Sequence, residues 1–170
     1  HNVQAGDVLI GLASSGVHPN GYSLVRKILT DAQLDVDRQY DGLPDTLMNT
    51  LLTPTVLYDK AVRPLMDSNL VHAAANITGG GIIENLARMI PANLTAEVDE
   101  ATWTTPAIFS LLQDAGKISQ DEMRKVFNMG IGMVLIVSSD RADAVLAQLS
   151  QTTIQAQTIG KVVNRRDQPV

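Results

Sequence analysis

Short apolar runs and helix-spaced apolar segments follow one another along this chain. Residues 8–13 and 131–137 are continuous apolar runs, typical of strands that are buried on both faces. Residues 21–33 instead carry apolar side chains every three or four positions, which predicts a helix with one buried face. The whole pattern predicts strands over 8–13, 70–76, 94–98, 131–137 and 153–163, and helices over 21–33, 54–67, 82–90, 106–116, 119–127 and 142–149.

Residues with capping preferences mark the start of three helices. Asn20 is a suitable N-cap for the first helix, because its side chain can accept a hydrogen bond from a free backbone N–H. Pro54 is expected at the first position of the second helix, where its fixed φ suits helical geometry. Ser119 and Glu122 have the spacing of a capping box, so a helix is expected to follow Ser119.

The order of elements predicts the fold class. Helices group together twice, near 45–67 and near 105–127, so strands and helices do not alternate strictly. This order disfavours a plain doubly wound parallel sheet. It predicts an α+β layered domain in which a mixed, largely antiparallel sheet is flanked by helices. A length of 170 residues corresponds to about one domain.

Composition excludes several classes of function. The net charge is −5 and Lys and Arg form no stripe, so we expect no nucleic-acid partner. No apolar run reaches 18 residues, so we expect no membrane partner. The chain has no cysteine, which fits a reducing compartment and an expected cytoplasmic location. It begins at His1 without an initiator Met, and we expect it to be a piece of a longer protein.

Three glycine-bearing turns are the candidate functional segments: residues 14–21, 78–81 and 128–133. The first two join a predicted strand to a predicted helix. Free N–H groups and the positive end of the helix dipole there favour an anion, most often phosphate. Glycine lets the backbone approach a ligand closely. The alternative is that the glycines serve turn geometry alone, and the sequence does not show whether the three turns meet.

Other candidate side chains give weaker signals. His18 lies in the first turn, where it could contact a phosphate, transfer a proton or simply brace the loop. His72 is expected to pack in a strand with one hydrogen bond. Glu84 follows the second turn and would repel a phosphate placed there. Asp99 and Glu100 fit a solvated strand end, and no His or Cys cluster has metal-ligand spacing.

Three stretches of the chain resemble the phosphoribosylformylglycinamidine cyclo-ligase (AIR synthetase) family. They are GDVLIGLASSGVHPNGYSLVRK, ITGGGIIENLARMIP and FNMGIGMVLIV, in the order and at the spacing of the family's C-terminal half. The resemblance covers about residues 6–163. It implies that residues 1–170 are the single C-terminal domain of a two-domain enzyme. The N-terminal domain, with its acidic, glycine-rich DGVGTK motif for ATP and metal, is absent from this sequence.

The resemblance also implies a reaction and its participants. The family makes aminoimidazole ribonucleotide in purine biosynthesis: ATP phosphorylates the amide oxygen of formylglycinamidine ribonucleotide, an amidine nitrogen attacks, and phosphate leaves. Mg²⁺ holds the nucleotide, and family members are homodimers. The expected partners of this chain are therefore a ribonucleotide substrate, its own N-terminal domain and a second copy of the full-length protein. ATP and Mg²⁺ would bind mainly to the absent domain.

Positions that match the family's motifs are the predicted site residues. His18 is the candidate polar contact or proton carrier. The residues predicted to bind substrate or phosphate are Ser15, Gly16, Asn20, Gly21, Asn76, Thr78, Gly79, Gly80, Gly81, Asn128 and Gly130. No metal ligand is predicted. The chain departs from the family at Asn76, where a histidine is usual; an amide can donate a hydrogen bond there but cannot transfer a proton.

The sequence leaves two alternative functions open. The chain could be the corresponding domain of a superfamily relative: formylglycinamidine synthase, selenophosphate synthetase, thiamine-phosphate kinase or a hydrogenase-maturation protein. It could also be a non-catalytic nucleotide-binding module that uses the same turns. The GYSLVR continuation at 21–26 and the NMGIGM run at 128–133 favour the cyclo-ligase. An isolated C-terminal domain is expected to have no ring-closing activity of its own.

Overall fold

A computed structural model describes residues 2–165; His1 and residues 166–170 lie outside it. The described chain forms one five-stranded sheet with helices around it. The strands are β1 (Val8–Ala13), β2 (Ala73–Asn76), β3 (Leu94–Val98), β4 (Ile131–Val137) and β5 (Ala156–Asn164). The helices are α1 (Tyr22–Asp31), α2 (Leu47–Leu51), α3 (Asp59–Asp67), α4 (Gly81–Ala87), α5 (Ala107–Gly116), α6 (Gln120–Val126) and α7 (Ala142–Leu149), with a 3-10 turn at Glu100–Thr102.

The strand order in the sheet is β2-β4-β1-β5-β3. All four pairs of neighbouring strands are antiparallel, so the described sheet contains no parallel pair and is not mixed. The α+β class predicted from the element order is confirmed. The two longest apolar runs, β1 and β4, lie side by side in the interior of the sheet, as expected for strands buried on both faces.

The antiparallel pairing brings two strand ends to one edge of the sheet. β1 and β2 both run antiparallel to β4 and lie on either side of it, so they point in the same direction. Leu12 of β1 and Asn76 of β2 both pair with Met133, near the start of β4. The segments that follow β1 and β2 therefore leave the sheet on both sides of the segment that enters β4.

Apolar clusters lie on both faces of the sheet, and a third lies among helices. One face packs with α4 through residues such as Leu86 and Val134. The other face packs with α3 and α7 through residues such as Leu65 and Val145. The third cluster joins α1, α2, α5 and α6 around the Phe109 and Phe127 rings, which contact each other at a tilt of 56°. This helical cluster stands beside the sheet edge at which β1 and β2 end, because α1 directly follows the turn after β1.

Two predicted helix starts are wrong. The N-cap of α1 is Gly21, with φ of 83°, and not Asn20; the left-handed conformation there suits glycine. Pro54 does not begin a helix, since α3 starts at Asp59. The chain at Pro54 bonds to the first glycine turn instead, and that tertiary contact overrides the local preference for a helix start. The capping bond from Glu122 N–H to the Ser119 hydroxyl is confirmed at 3.3 Å.

Other boundaries differ by a few residues. β2 begins at Ala73 and not at residue 70, because the chain before it, at 66–72, turns back from α3 through the Asn69 and Leu70 backbone bonds. β5 begins at Ala156 and not at 153, since residues 150–154 form a turn after α7. The short helix α2 falls between the predicted loop and the predicted second helix, and Thr46 caps it.

Candidate functional site

The three glycine turns meet at the sheet edge where β1 and β2 end. Turn 1 (residues 14–21) joins β1 to α1, turn 2 (residues 78–81) joins β2 to α4, and turn 3 (residues 128–133) leads from α6 into β4. Backbone hydrogen bonds join turn 3 to turn 1 and to Ile77, the residue just before turn 2. Ser14 N–H donates to Gly130 O at 2.8 Å, and Ile77 N–H donates to Gly132 O at 2.9 Å.

Asn128 ties turn 3 to turn 1 with its side chain. Its Oδ1 accepts hydrogen bonds from the Ser14 hydroxyl at 2.9 Å and from Gly130 N–H at 2.8 Å. Its Nδ2 donates to the carbonyls of Gly16 at 2.8 Å and Val17 at 3.3 Å. Asn128 is 3% exposed, and both of its polar atoms are occupied by these bonds. Asn128 and the buried Gly130 therefore support turn 1 through hydrogen bonds within the protein, and their contact with a ligand stays a prediction.

Turn 2 packs against α6 through its backbone. Gly80 N–H donates to Lys125 O at 2.9 Å, and Gly81 N–H donates to Thr78 O at 3.0 Å. A Cβ atom on Gly81 would overlap the Arg124 carbonyl oxygen, so the close approach requires glycine. The N–H groups of two of the three glycines are thus paired within the protein.

Asn85 braces turn 2 from the first turns of α4. It is buried, and its Nδ2 donates to Gly81 O at 2.8 Å and lies 3.3 Å from Gly79 O. Its Oδ1 accepts from the Thr78 hydroxyl at 3.3 Å. Thr78 therefore uses its hydroxyl within the protein, and Gly79 is the exposed glycine of this turn.

His18 lies inside turn 1, 5% exposed and with φ of 57°. Its Nε2 accepts a hydrogen bond from Ser15 N–H at 3.1 Å and a longer one from Val56 N–H at 3.5 Å. Burial lowers the pKa of His18 below its ordinary value of 6.5, because the charged ring is poorly solvated there. His18 is therefore a neutral acceptor that joins turn 1 to the segment around Val56.

Tyr58 and Gly132 complete the surroundings of His18. The Tyr58 hydroxyl donates to Ala13 O at 2.7 Å, at the end of β1, and its ring lies 6.3 Å from the His18 ring. Burial raises the pKa of the Tyr58 hydroxyl far above its ordinary value, so Tyr58 stays neutral. A Cβ on Gly132 would overlap the Tyr58 hydroxyl and lie 2.7 Å from His18 Cε1. Glycine at 132 makes room for both rings.

The starts of α1 and α4 differ in charge. Gly21 caps α1 without a side-chain hydrogen bond, and the first turn of α1 has no acidic residue. The first N–H groups of an α-helix have no partner within the helix, so this end presents donors and an uncompensated positive dipole. At α4, Glu84 lies in the first turn and its side chain folds over Gly80. An anion is therefore accommodated better at turn 1 than at turn 2.

The remaining predicted site residues lie around these turns. Ser15 is half-buried and donates through its hydroxyl to Pro54 O at 2.7 Å. Gly16 is buried with φ of 137°, and Asn20 is partly exposed beside Gly21. Asn76 is exposed at the end of β2, across β4 from Leu12.

Sequence reasoning missed three residues that shape this site: Val56, Tyr58 and Gly132. Val56 and Tyr58 lie about forty positions from turn 1, on a segment that was predicted to be helical, so no local pattern connects them to His18. Gly132 was recognised as a motif position, but the sequence does not show that it makes room for two rings.

Other candidate side chains lie outside the site. His72 Nδ1 bonds to Asp7 Oδ2 at 2.8 Å, next to the opposite end of β1, which confirms the single hydrogen bond expected for it. Glu100 forms a surface ion pair with Arg124. Among residues 2–165, no three His, Asp or Glu side chains are close enough together to hold a metal ion.

A cavity of about 620 Å³ lies between α4 and β3, and Phe127 and Met129 also line it. Its walls are mostly apolar and include Ile82, Leu86 and Ala96. None of the predicted site residues lines it, so its position does not support a phosphate site. Within residues 2–165, no helix combines the length and the apolar character needed to cross a membrane.

The sheet and its glycine turns define a domain of the AIR synthase type. The family model described as "AIR synthase related protein, C-terminal domain" matches residues 4–170, and the chain belongs to this family. It is 51% identical over 170 residues to a phosphoribosylformylglycinamidine cyclo-ligase of Latilactobacillus sakei, and 48% identical over 164 residues to one of Bacillus cytotoxicus. These matches cover 99% and 96% of this chain, and 50% and 47% of those proteins. The chain thus spans about half the length of the relatives it matches.

Solved structures share the fold at low sequence identity. A thiamine-monophosphate kinase of Stenotrophomonas maltophilia superposes with a TM-score of 0.64 at 18% identity, covering 96% of this chain and 49% of that one. The hydrogenase maturation protein HypE of E. coli superposes with a TM-score of 0.63 at 21% identity, covering 97% and 46%. At such identities the likeness establishes the fold alone.

Proposed function

We propose that this chain is the C-terminal half of an ATP-dependent phosphoribosylformylglycinamidine cyclo-ligase. The observation that carries the proposal is the 51% identity to a protein of that name over 99% of the chain. In this reaction ATP phosphorylates the amide oxygen of formylglycinamidine ribonucleotide. An amidine nitrogen then attacks the activated carbon, phosphate leaves, and aminoimidazole ribonucleotide is formed. The kinase and maturation-protein alternatives have support only from fold, at 18% and 21% identity.

The part of this chain in the reaction is to hold a phosphate group at turn 1. The N-cap of α1, Gly21, has no side chain to accept a hydrogen bond, so the start of the helix offers N–H donors, and no carboxylate lies in its first turn. Gly16 is buried and its carbonyl accepts from Asn128 Nδ2 at 2.8 Å, so Gly16 shapes turn 1 and leaves the phosphate contacts to the N–H groups at the start of α1. Asn20 and the exposed amide of Asn76 could add polar contacts. The phosphate is that of the ribonucleotide or of ATP.

Turn 2 has a supporting part in this proposal. The Gly80 and Gly81 N–H groups are paired internally, and Glu84 covers Gly80 with negative charge. The N–H groups of Thr78 and Gly79 make no hydrogen bond within residues 2–165, so they remain as donors of this turn for a ligand. Turn 2 therefore forms a wall of the cleft and shapes it through Thr78 and Asn85.

The other half of the enzyme would supply the rest of the catalytic apparatus. Residues 2–165 contain no cluster of acidic or histidine side chains that fits Mg²⁺, so we assign the metal and most ATP contacts to the N-terminal domain. When bound, Mg²⁺ neutralises phosphate charge during phosphoryl transfer. We also propose a cytoplasmic homodimer of the full-length protein. This chain contributes one wall of the cleft between the two domains.

The enzyme proposal is tested by joining this chain to the N-terminal half of the L. sakei cyclo-ligase. The fusion should form aminoimidazole ribonucleotide from formylglycinamidine ribonucleotide and ATP, and the 170-residue chain alone should not. A fusion that is folded, binds ATP and yields no product would contradict the proposal. Product formation by the chain alone would contradict the division of roles between the halves.

The phosphate site is tested separately, by titrating inorganic phosphate into the 170-residue chain and following its amide NMR signals. Ser23→Glu places a carboxylate in the first turn of α1 and should weaken phosphate binding at least tenfold. Thr30→Glu adds the same charge to the last turn of the same helix and serves as the matched control; its affinity should stay near that of the unchanged chain. Equal affinities in the two variants, or tighter binding in Glu84→Gln alone, would move the site away from turn 1.

A further inference from the structure

The two ring nitrogens of His18 have different surroundings. Nε2 faces two backbone N–H groups, those of Ser15 at 3.1 Å and Val56 at 3.5 Å. Nδ1 makes no hydrogen bond to any of residues 2–165. Among those residues no enclosed side-chain nitrogen or oxygen lacks a partner, so Nδ1 must reach the solvent. His18 is only 5% exposed and thus keeps one polar atom, Nδ1, open to solvent.

These contacts define the tautomer of His18. A backbone N–H can only donate, so Nε2 must accept with its lone pair and cannot carry a proton. The neutral ring then carries its proton on Nδ1. A doubly protonated ring would place an Nε2–H against the N–H groups of Ser15 and Val56. Tyr58 is the titratable side chain that the structure places against the ring, and it is neutral, so no described charge there stabilises imidazolium.

The open nitrogen lies beside turn 1. Nδ1 is bonded to Cγ, so any acceptor that reaches it lies next to residue 18 itself. That position is within the same turn that presents Gly16 and the start of α1. A phosphate oxygen that lay between Nδ1–H and the first N–H groups of α1 would receive hydrogen bonds from both.

We propose that His18 is a positioning residue and a neutral donor, and not a proton carrier. Its Nε2 fixes turn 1 to the segment at Val56, and its Nδ1–H donates to the phosphate group bound at turn 1. The donor role rests on the proposed function, whereas the tautomer does not. The phosphate of a ribonucleotide, of ATP or of the solvent would be recognised by the same donor.

The tautomer is tested in the unchanged 170-residue chain by long-range ¹H–¹⁵N NMR of the histidine rings at pH 7. We expect His18 to show a protonated Nδ1 and an unprotonated Nε2, and added phosphate to shift the Nδ1 signal. The opposite tautomer, or an imidazolium at pH 7, would overturn the inference whatever the function of the chain.

Two substitutions separate the roles of the two nitrogens. The amide of His18→Gln can place an acceptor near the Nε2 position, so the Ser15 amide signal and the thermal midpoint should stay close to those of the unchanged chain. Phosphate binding should weaken about tenfold, since a donor to a charged group is lost. His18→Asn keeps a donor near the Nδ1 position and should instead lose the Ser15 signal and thermal stability.

Separate results distinguish this inference from the proposed function. Unchanged phosphate affinity in a folded His18→Gln variant, with binding still weakened by Ser23→Glu, would overturn the donor role and leave the phosphate site at turn 1 intact. In the active fusion, His18→Gln should raise KM more than it lowers kcat. Suppose instead that His18→Gln lowers only kcat, and that the unchanged fusion shows a pH-dependent step in kcat that the variant lacks. That result would restore the role of His18 as a proton carrier.

Discussion

Gly81 offers the sharpest test of how the glycine turns are held. Its φ is +63°, and a Cβ there would overlap the Arg124 carbonyl oxygen, lying 3.0 Å from the Arg124 carbonyl carbon and 3.4 Å from Phe127 O. In Gly81→Ala the left-handed conformation costs about 1–2 kcal/mol. The clash is with backbone, which cannot rotate away as a side chain can, and overpacking of this kind costs about 1–3 kcal/mol. We therefore expect Gly81→Ala to lower the free energy of unfolding by about 2–5 kcal/mol.

Gly79 provides the matched control, because it lies two residues away in the same turn. A Cβ on Gly79 would meet no atom within 4 Å, and its φ is not in the left-handed region. Gly79→Ala should leave the free energy of unfolding unchanged or raise it by up to about 1 kcal/mol. Urea unfolding of both variants, followed by circular dichroism, measures the difference. If the two variants differed by less than about 1 kcal/mol, the close packing of turn 2 on α6 would be refuted.

Three further predictions concern the other turns. Asn128→Ala removes four hydrogen bonds and leaves Gly130 N–H buried without a partner. It should therefore lower the free energy of unfolding, measured in urea, by about 3 kcal/mol. Asn93 is exposed, so the control Asn93→Ala should change that free energy by less than about 0.5 kcal/mol. Gly132→Ala should displace the His18 ring, seen as a shift of its ring NMR signals, and unchanged signals would contradict the packing described. Burial lowers the His18 pKa, so the unfolded chain binds more protons just below pH 6.5, and stability should rise with pH up to about 6.5. His18→Gln should remove that rise, and an equal pH slope in both proteins would count against it.

The sequence by itself predicted most of the framework. The apolar runs that became β1 and β4, the helix pattern of α1 and the Ser119 capping box each depend on neighbours a few residues away. The same local patterns marked all three glycine turns and pointed to the family. Glycine, proline and capping residues act through the backbone next to them, so their effects can be predicted without a tertiary structure.

Only the tertiary structure decided what the turns do. Pro54 was expected to start a helix, but its segment is drawn to turn 1 by bonds to Ser15 and His18 across about forty residues of chain. Asn128 and Gly81 were predicted to bind substrate or phosphate, and the structure shows that the Asn128 amide and Gly81 N–H make hydrogen bonds within the protein. The antiparallel pairing with β4 brings the three turns together. These contacts join residues that are far apart in the sequence. They decide which polar atoms are bonded within the protein and which stay open to a phosphate, and a local sequence pattern does not contain them.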